Sequence, residues 1–281
     1  MKKRSFTLIE LLVVIALIGL LASIILVSLK GTTKKAKIAK GLEFSQSIQH
    51  ALGSESVGIW SFDDCPVGTA NDASGYGNNG TITGASCTDD TPHKLVGPGQ
   101  GKYALSFNGV GDYVEAPDSN SLDLSSQVTI TAWINPSFTS AWNRIVAKSH
   151  TSNTSPYTMY GLLFDNANHI RLEIATNGLQ NAVNGVTTIP LNTWTFVAGT
   201  YDGSTMKVYV NGNLDNSTAL TGAIDTNNMP LSIGRSGFGS DYFNGTIDEV
   251  RIYSQALSLG EIQKHYAEGL ERHKDLALQE P

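Results

Sequence analysis

The chain has 281 residues, of which 41% are hydrophobic and 16% are charged, and its formal net charge is −6. This hydrophobic fraction excludes a disordered protein, and it suits one folded domain beside a membrane segment. Residues 1–40 hold eight Lys and Arg against one Glu, whereas the remainder is strongly acidic. An acidic main body excludes binding to a nucleic-acid backbone, so no nucleic-acid partner is expected.

The chain begins with a short basic segment, Lys2-Lys3-Arg4, that is followed by an apolar run extending to Leu29. From Leu11 to Leu29 the run would cover about 28 Å as a helix, which is close to the hydrocarbon thickness of a bilayer. The basic residues in front of it orient the rest of the chain to the outside of the cytoplasmic membrane. Glu10 is the one charge within this stretch. A secretory signal or a plain anchor gives a carboxylate no role there, and an intramembrane carboxylate indicates a function that involves a partner.

Phe6-Thr7-Leu8-Ile9-Glu10 after a basic leader resembles the start of type IV prepilins and of type II secretion pseudopilins. The resemblance implies a leader at 1–5, cleavage by a prepilin peptidase between Ser5 and Phe6, and methylation of the Phe6 amine. It also implies that Glu10 faces the N-terminal amine of a neighbouring subunit, so other pilin or pseudopilin subunits are the expected partners. Ser5 departs from the Gly that this family usually has before the cut.

A long N-terminal helix is predicted, with a transmembrane part at 6–29 and an amphipathic part at 30–53. In the second part, Ile38, Leu42, Ile48 and Leu52 recur near the helical period. Gly53 with Ser54 then offers a helix stop.

From Val57 onward the apolar residues alternate with polar ones, as they do in β-strands. In Val128–Ile134 the alternation puts Val128 and Ile134 on one face and Trp133 on the other. The same pattern in 169–174 directs Ile170, Leu172 and Ile174 inward. Hairpins are predicted at 202–205 and 211–212. A final helix in 258–281 starts at a capping box formed by Ser258 and Glu261. The predicted fold is therefore α+β overall: the long helix, an all-β jelly-roll sandwich and a short C-terminal helix.

Several segments occur in the order seen in laminin-G-like, concanavalin A-like domains: Gly58–Asp64, Asp72–Gly80, Ala104–Gly109, Val128–Ile134, Trp194–Gly203, Val208–Gly212 and Ile247–Tyr253. The resemblance covers residues 56–268. It implies a jelly roll that is used for carbohydrate or protein binding and, in some branches, for glycan hydrolysis.

The resemblance also implies one structural Ca²⁺ on the flank of the sandwich. Its ligands would be Asp248 in the last strand with oxygens near Asp63 and in the turn at Gly109, since Ca²⁺ prefers carboxylate and carbonyl oxygens. In the alternative, these acids cap turns and accept hydrogen bonds from backbone amides.

Cys65 and Cys87 are the only two cysteines. Both belong to the part predicted to lie outside the cytoplasm, where disulfides persist, and no Cys/His set suggests zinc. A disulfide is therefore favoured over two free thiols.

A catalytic role has little support in the sequence, and we expect that the chain is not an enzyme. The E-x-D-x-x-E pattern of laminarinase-like hydrolases is absent, and the adjacent Asp248 and Glu249 would point to opposite faces of a strand. Trp133, Arg171 and Glu173 could instead line a sheet face that binds glycans or surface proteins, unless a loop or a sheet edge covers Trp133.

Three functions follow in order of support. The first is a subunit of a type IV pilus or related filament that displays a lectin-like domain for adhesion. The second is a secretion pseudopilin that contacts exported substrates. The third is an anchored glycan-cleaving enzyme.

Overall fold

The computed structural model describes residues 55–65, 68–89, 103–139, 142–152, 154–237 and 241–272. The predicted leader, transmembrane helix and amphipathic extension, with Ser5, Phe6 and Glu10, lie outside these residues. Within them, no helix combines the length and the apolar character that crossing a bilayer requires. The described residues belong to one compact unit that begins at Glu55.

Sixteen strands, one 3₁₀ turn at Asn120–Leu122 and one α-helix make up this part of the chain. In chain order they are β1 (Ser56–Trp60), β2 (Thr69–Ala70), β3 (Gly80–Thr83), β4 (Ser86–Thr88), β5 (Ala104–Asn108), β6 (Tyr113–Ala116), β7 (Val128–Phe138), β8 (Arg144–Ser149), β9 (Thr158–Phe164), β10 (His169–Thr176), β11 (Leu179–Thr188), β12 (Thr195–Tyr201), β13 (Thr205–Val210), β14 (Asn213–Ala219), β15 (Leu231–Ile233), β16 (Asn244–Tyr253) and α1 (Leu259–Arg272).

The strands form two antiparallel sheets that face each other. The first sheet has the order β14-β13-β12-β7-β16-β5-β4, with β1 also paired to β16, and the second has the order β11-β10-β9-β8-β15-β6-β3-β2. The inner faces of both sheets supply one hydrophobic core. This arrangement confirms the predicted sandwich with a short C-terminal helix.

The predicted alternation is confirmed in two strands. Val128, Ile130, Ala132 and Ile134 of β7 and Ile170, Leu172 and Ile174 of β10 all belong to the core. Both hairpins are also confirmed, because β12 pairs with β13 and β13 pairs with β14 in antiparallel fashion. In the first turn, Asp202 accepts backbone hydrogen bonds from Ser204 and Thr205. A carboxylate that accepts from its own turn stabilises the reversal.

The first and last strands lie side by side. Trp60 of β1 is opposite Val250 of β16, and the Ser254 amide beyond β16 donates to the Glu55 carbonyl at 2.9 Å. The predicted disulfide joins Cys65, just after β1, to Cys87 in β4. In the chain-entropy model, closure of such a loop stabilises the fold by about 3 kcal/mol.

Helix α1 begins at the predicted capping box. The Ser258 amide donates to Glu261 Oε2 at 2.6 Å, and the Glu261 amide donates to Ser258 Oγ at 3.4 Å. The helix packs on the outer face of the first sheet, where the ring of Tyr266 stacks on Trp133 with 5.8 Å between centroids.

A polar network lies between α1 and β16. Arg251 donates to Glu249 Oε2 at 2.6 Å and contacts His265 Nδ1 at 3.0 Å, while His265 Nε2 is 3.1 Å from the Tyr253 hydroxyl. An arginine only donates, so Nδ1 of His265 accepts and Nε2 carries the proton. Burial lowers the pKa of His265, and the Glu268 carboxylate, whose Oε2 is 3.6 Å from Nδ1, opposes this shift. The helix therefore packs on the sheet through a neutral imidazole.

Candidate functional site

The candidate site is an open cleft on the outer face of the second sheet, where β8, β9 and β10 run side by side. Arg144 and Arg171 are both in register with Leu163 of β9, so their side chains share a face. Glu173 lies two residues beyond Arg171 and therefore points the same way. The opposite face of these strands packs into the hydrophobic core.

An ion-paired carboxylate forms the floor of the cleft. Glu173 Oε2 is 2.6 Å from Arg144 Nη1, and its Oε1 is 3.0 Å from Arg171 Nε. Arg171 Nη1 also donates to Asn184 Oδ1 at 2.8 Å. Arg144 and Glu173 are buried. A buried carboxylate is favourable only when its oxygens are paired, and here both are.

Two exposed aromatic side chains flank this floor. Trp142 is 39% exposed and Tyr157 is 45% exposed. The Arg171 guanidinium lies 5.2 Å from the centroid of the Trp142 ring, within the range of a cation–π contact. Trp142 has a φ of 73°, which is uncommon for a bulky residue and is a feature of functional sites.

A glutamine from β11 supports the segment that carries Tyr157. Gln180 Oε1 accepts hydrogen bonds from the amides of Tyr157 and Thr158, at 2.8 Å and 3.0 Å. These two bonds hold the main chain at Tyr157 against the neighbouring hairpin. The aromatic ring is thereby positioned by the sheet although it precedes β9.

Asp241 completes the cleft from the segment before β16. Its carbonyl accepts a hydrogen bond from the Arg144 amide at 3.3 Å. Burial raises the pKa of Asp241, while Arg144 opposes this shift and Glu173 reinforces it. The cleft encloses about 340 Å³ and is lined by Trp142, Arg144, Tyr157, Arg171, Glu173, Gln180 and Asp241. It combines aromatic faces with polar groups, which is an arrangement suited to a small polar ligand.

The predicted ligand residues separate into two places. Arg171 and Glu173 meet in the cleft, whereas Trp133 is on the other sheet and is only 4% exposed. Trp133 lies beneath α1, between Tyr266 and Phe196, whose ring centroid is 5.5 Å away. The predicted platform at Trp133 is therefore corrected: a helix covers that face.

The predicted calcium ligands Asp63, Gly109 and Asp248 lie after β1, near the start of β16 and within β16, respectively. A Cβ atom at Gly109 would contact Asn244 at the start of β16, and Asp248 lies four positions further along the same strand. Ligand oxygens of one Ca²⁺ all lie about 2.5 Å from the ion, and a site that uses both Gly109 and Asp248 stays a prediction. Asp63 lies three residues after Trp60, the last residue of β1. Because Trp60 is paired with Val250 and the strands are antiparallel, the chain after β1 runs toward Asp248. Asp248 is fully buried and accepts the Glu249 amide at 2.7 Å. Across the described ranges, no group of three or more His, Cys, Asp and Glu could hold a metal ion.

Comparison with known proteins gives two family matches. Residues 108–263, more than half of the chain, match the model described as the Concanavalin A-like lectin/glucanases superfamily. Residues 1–26 match the Prokaryotic N-terminal methylation motif. These two matches confirm the fusion that the sequence predicts. Among curated proteins, no sequence matches the chain.

Three solved structures illustrate the shared fold. The binding domain of Paraclostridial Mosquitocidal Protein 1 has 16% identity and a TM-score of 0.60, and the match covers 76% of this chain but 52% of that domain. The chain thus spans about half of that domain's length. Domain 4 of AbnA, a GH43 extracellular arabinanase from Geobacillus stearothermophilus in complex with arabinotriose, has 22% identity and a TM-score of 0.56, with coverage of 75% and 97%. The Trypanosoma rangeli sialidase has 17% identity and a TM-score of 0.55, with coverage of 74% and 32%.

Proposed function

Because the chain belongs to the Concanavalin A-like lectin/glucanases superfamily, we propose that its β domain binds carbohydrate in the cleft between Trp142 and Tyr157. We further propose that the chain is a pilin-like subunit that carries this domain outside the cytoplasmic membrane. The domain would then attach a filament to glycans.

The cleft itself is the observation that carries the binding proposal. Sugar rings have apolar C–H faces and a rim of hydroxyl groups. The exposed rings of Trp142 and Tyr157 offer stacking surfaces for the C–H faces. Asp241 and Gln180 offer hydrogen-bonding partners for the hydroxyl groups. A volume of about 340 Å³ lies at the lower end of the range for ligand sites, and it suits one or two sugar rings.

The structural neighbour in complex with arabinotriose is an example of this fold with a bound oligosaccharide. At 22% identity and a TM-score of 0.56, the likeness is one of fold and does not transfer the ligand. The proposal that this chain binds carbohydrate rests on its own exposed aromatic residues, Trp142 and Tyr157.

The N-terminal motif supports the filament role. A methylation motif at 1–26 implies removal of the leader by a prepilin peptidase, modification of Phe6 and assembly with similar subunits. Glu10 would then neutralise the amine of a neighbouring Phe6 within the bilayer, where each charge alone is costly.

Binding is tested with the full-length protein on a glycan array. Trp142→Ala and Tyr157→Ala should each weaken binding about tenfold or more, because each removes a stacking surface. Tyr76→Ala is the matched control, since Tyr76 is an exposed tyrosine outside the cleft, at 54% against 45% for Tyr157. If the wild-type protein binds no glycan, the carbohydrate proposal fails; if it binds and all three variants bind as it does, the cleft is not the binding site.

A glycan-cleaving activity is the second candidate, because Glu173 and Asp241 are two carboxylates in one cleft. Both oxygens of Glu173 are engaged by arginines, so we propose binding without cleavage. Release of reducing sugar from a bound glycan, abolished by Glu173→Gln, would support the enzyme instead.

A secretion pseudopilin shares the same N-terminal motif. Recovery of the protein in purified extracellular filaments would support the filament subunit, and confinement to the cell envelope would support the pseudopilin.

A further inference from the structure

The charges that line the cleft cancel within a very small space. Two arginines, Arg144 and Arg171, face two carboxylates, Glu173 and Asp241. Glu173 joins both arginines, and Asp241 interacts electrostatically with Arg144 and with Glu173. A ligand therefore meets a polar floor that has no net charge.

We propose that the cleft selects uncharged sugars and rejects acidic ones such as uronic and sialic acids. This inference rests on the proposed carbohydrate binding and names the class of ligand.

The arginines have few donors left for an acidic ligand. Arg144 Nη1 and Arg171 Nε point at Glu173, and Arg171 Nη1 points at Asn184. The remaining secondary nitrogen, Arg144 Nε, is buried and out of reach of a ligand. These contacts leave Nη2 of each arginine unaccounted for, but on both arginines the neighbouring nitrogens are engaged or buried. A sugar carboxylate would thus not find two free adjacent nitrogens, although bidentate pairing is what makes arginine a strong carboxylate receptor.

The two protein carboxylates oppose an acidic ligand directly. A third carboxylate beside Glu173 and Asp241 would lose hydration and gain repulsion, and this cost falls on the acidic ligand alone. Burial already disfavours the charged form of Asp241, and Glu173 adds to this effect. The negative charge of an acidic ligand close by would be still less favourable.

The aromatic walls do not distinguish the two classes. Stacking of a sugar ring on Trp142 or Tyr157 depends on its C–H face, which neutral and acidic sugars share. The polar floor consequently decides the selectivity, and the walls supply affinity for both classes.

The test uses an array of matched oligosaccharide pairs, each with and without a terminal uronic or sialic acid, probed with the full-length protein at mildly alkaline pH. We expect the uncharged member of each bound pair to bind more tightly by about tenfold or more. Equal or tighter binding of the acidic members would overturn the inference and leave carbohydrate binding intact. Failure of every member to bind would remove the proposed function and, with it, the inference.

Two charge variants sharpen the result. Glu173→Gln keeps the shape of the floor and leaves it with one more positive charge, so acidic members should gain about tenfold relative to their neutral partners. Asp241→Asn makes the same change of charge at a partly exposed position. It therefore measures the effect of charge on selectivity even if Glu173→Gln does not fold. Tyr157→Ala should weaken both members of a pair to a similar extent. An unchanged ratio in both charge variants would show that the floor does not set selectivity.

Discussion

Substitution of Gly269 by alanine tests whether helix α1 is pressed against the first sheet. Gly269 lies in the last turns of α1, directly over Trp133. A Cβ atom at this position would come within 2.5 Å of the ring atoms Cζ2 and Nε1 of Trp133. The ring cannot retreat easily, because Phe196 and Tyr266 pack against it.

Two effects of opposite sign determine the outcome. Alanine is a better helix former than glycine by up to about 1 kcal/mol, which would stabilise the protein. Insertion of a methyl group into a well-packed contact costs about 1–3 kcal/mol. We expect the packing term to dominate, with a net loss of about 1–2 kcal/mol. In a domain of this size, that loss lowers the melting temperature by about 2–8 °C.

Gly260→Ala is the matched control, since it lies in the same helix and its Cβ would have only Ser258 Oγ near it, at 4.0 Å. Thermal unfolding of the full-length variants, followed by near-UV circular dichroism, should show a lower midpoint for Gly269→Ala and an equal or higher one for Gly260→Ala. If Gly269→Ala stabilises the protein as much as the control does, α1 does not press on Trp133. The outer face of the first sheet would then have to be reconsidered as a ligand surface.

Four further predictions concern other parts of the molecule. The pKa of His265 is lowered in the folded state from its ordinary 6.5, so its contribution to the free energy of unfolding is complete above pH 6.5 and is lost as the pH falls through the lower folded pKa. The decrease of the melting temperature toward acid pH should therefore be less steep in His265→Gln. An unchanged steepness would contradict a neutral His265. Thiol labelling of the native, unreduced protein should leave Cys65 and Cys87 unmodified, and reduction should lower stability by about 3 kcal/mol; labelling before reduction would exclude the disulfide. Glu10→Ala should leave membrane insertion and domain folding intact and prevent incorporation into filaments, whereas normal assembly of this variant would make the N-terminus a plain anchor. Calcium binding at the predicted site of Asp63, Gly109 and Asp248 would give a lower melting temperature in a chelator, and an unchanged midpoint would contradict this ion.

Local patterns were sufficient to predict most of the sandwich. Alternation identified the inward residues of β7 and β10, because side chains of a strand point to opposite faces whatever lies around them. The capping box located the start of α1, since its two hydrogen bonds join residues three apart. The disulfide was predictable from the scarcity of cysteines and from the expected compartment.

The cleft could be predicted only in part. Arg171 and Glu173 stood out because they share a face of one strand, but Arg144 is 29 residues away from Glu173 along the chain. Trp142 and Tyr157 lie outside the strands, where no periodicity indicates direction. The alternation of β7 also showed that Trp133 faces away from the core. It could not show that α1 covers Trp133, because the element that packs on the outer face of a sheet is determined by tertiary structure. One signal could have predicted this packing: the C-terminal helix is amphipathic, and the outward-facing residue Trp133 is apolar.

The pairing of β1 with β16 and the Cys65–Cys87 bond also determine how the domain responds to mechanical load. Tension from the preceding chain enters at Glu55 and acts first on the few backbone hydrogen bonds of β1. If β1 peels away, the chain can extend only as far as Cys65, because the covalent bond then passes the load to Cys87 in β4 of the same sheet. The strands that build the ligand cleft belong to the other sheet. If the cleft binds glycans as proposed, the pairing of β1 could therefore be lost under load while the binding site stays folded.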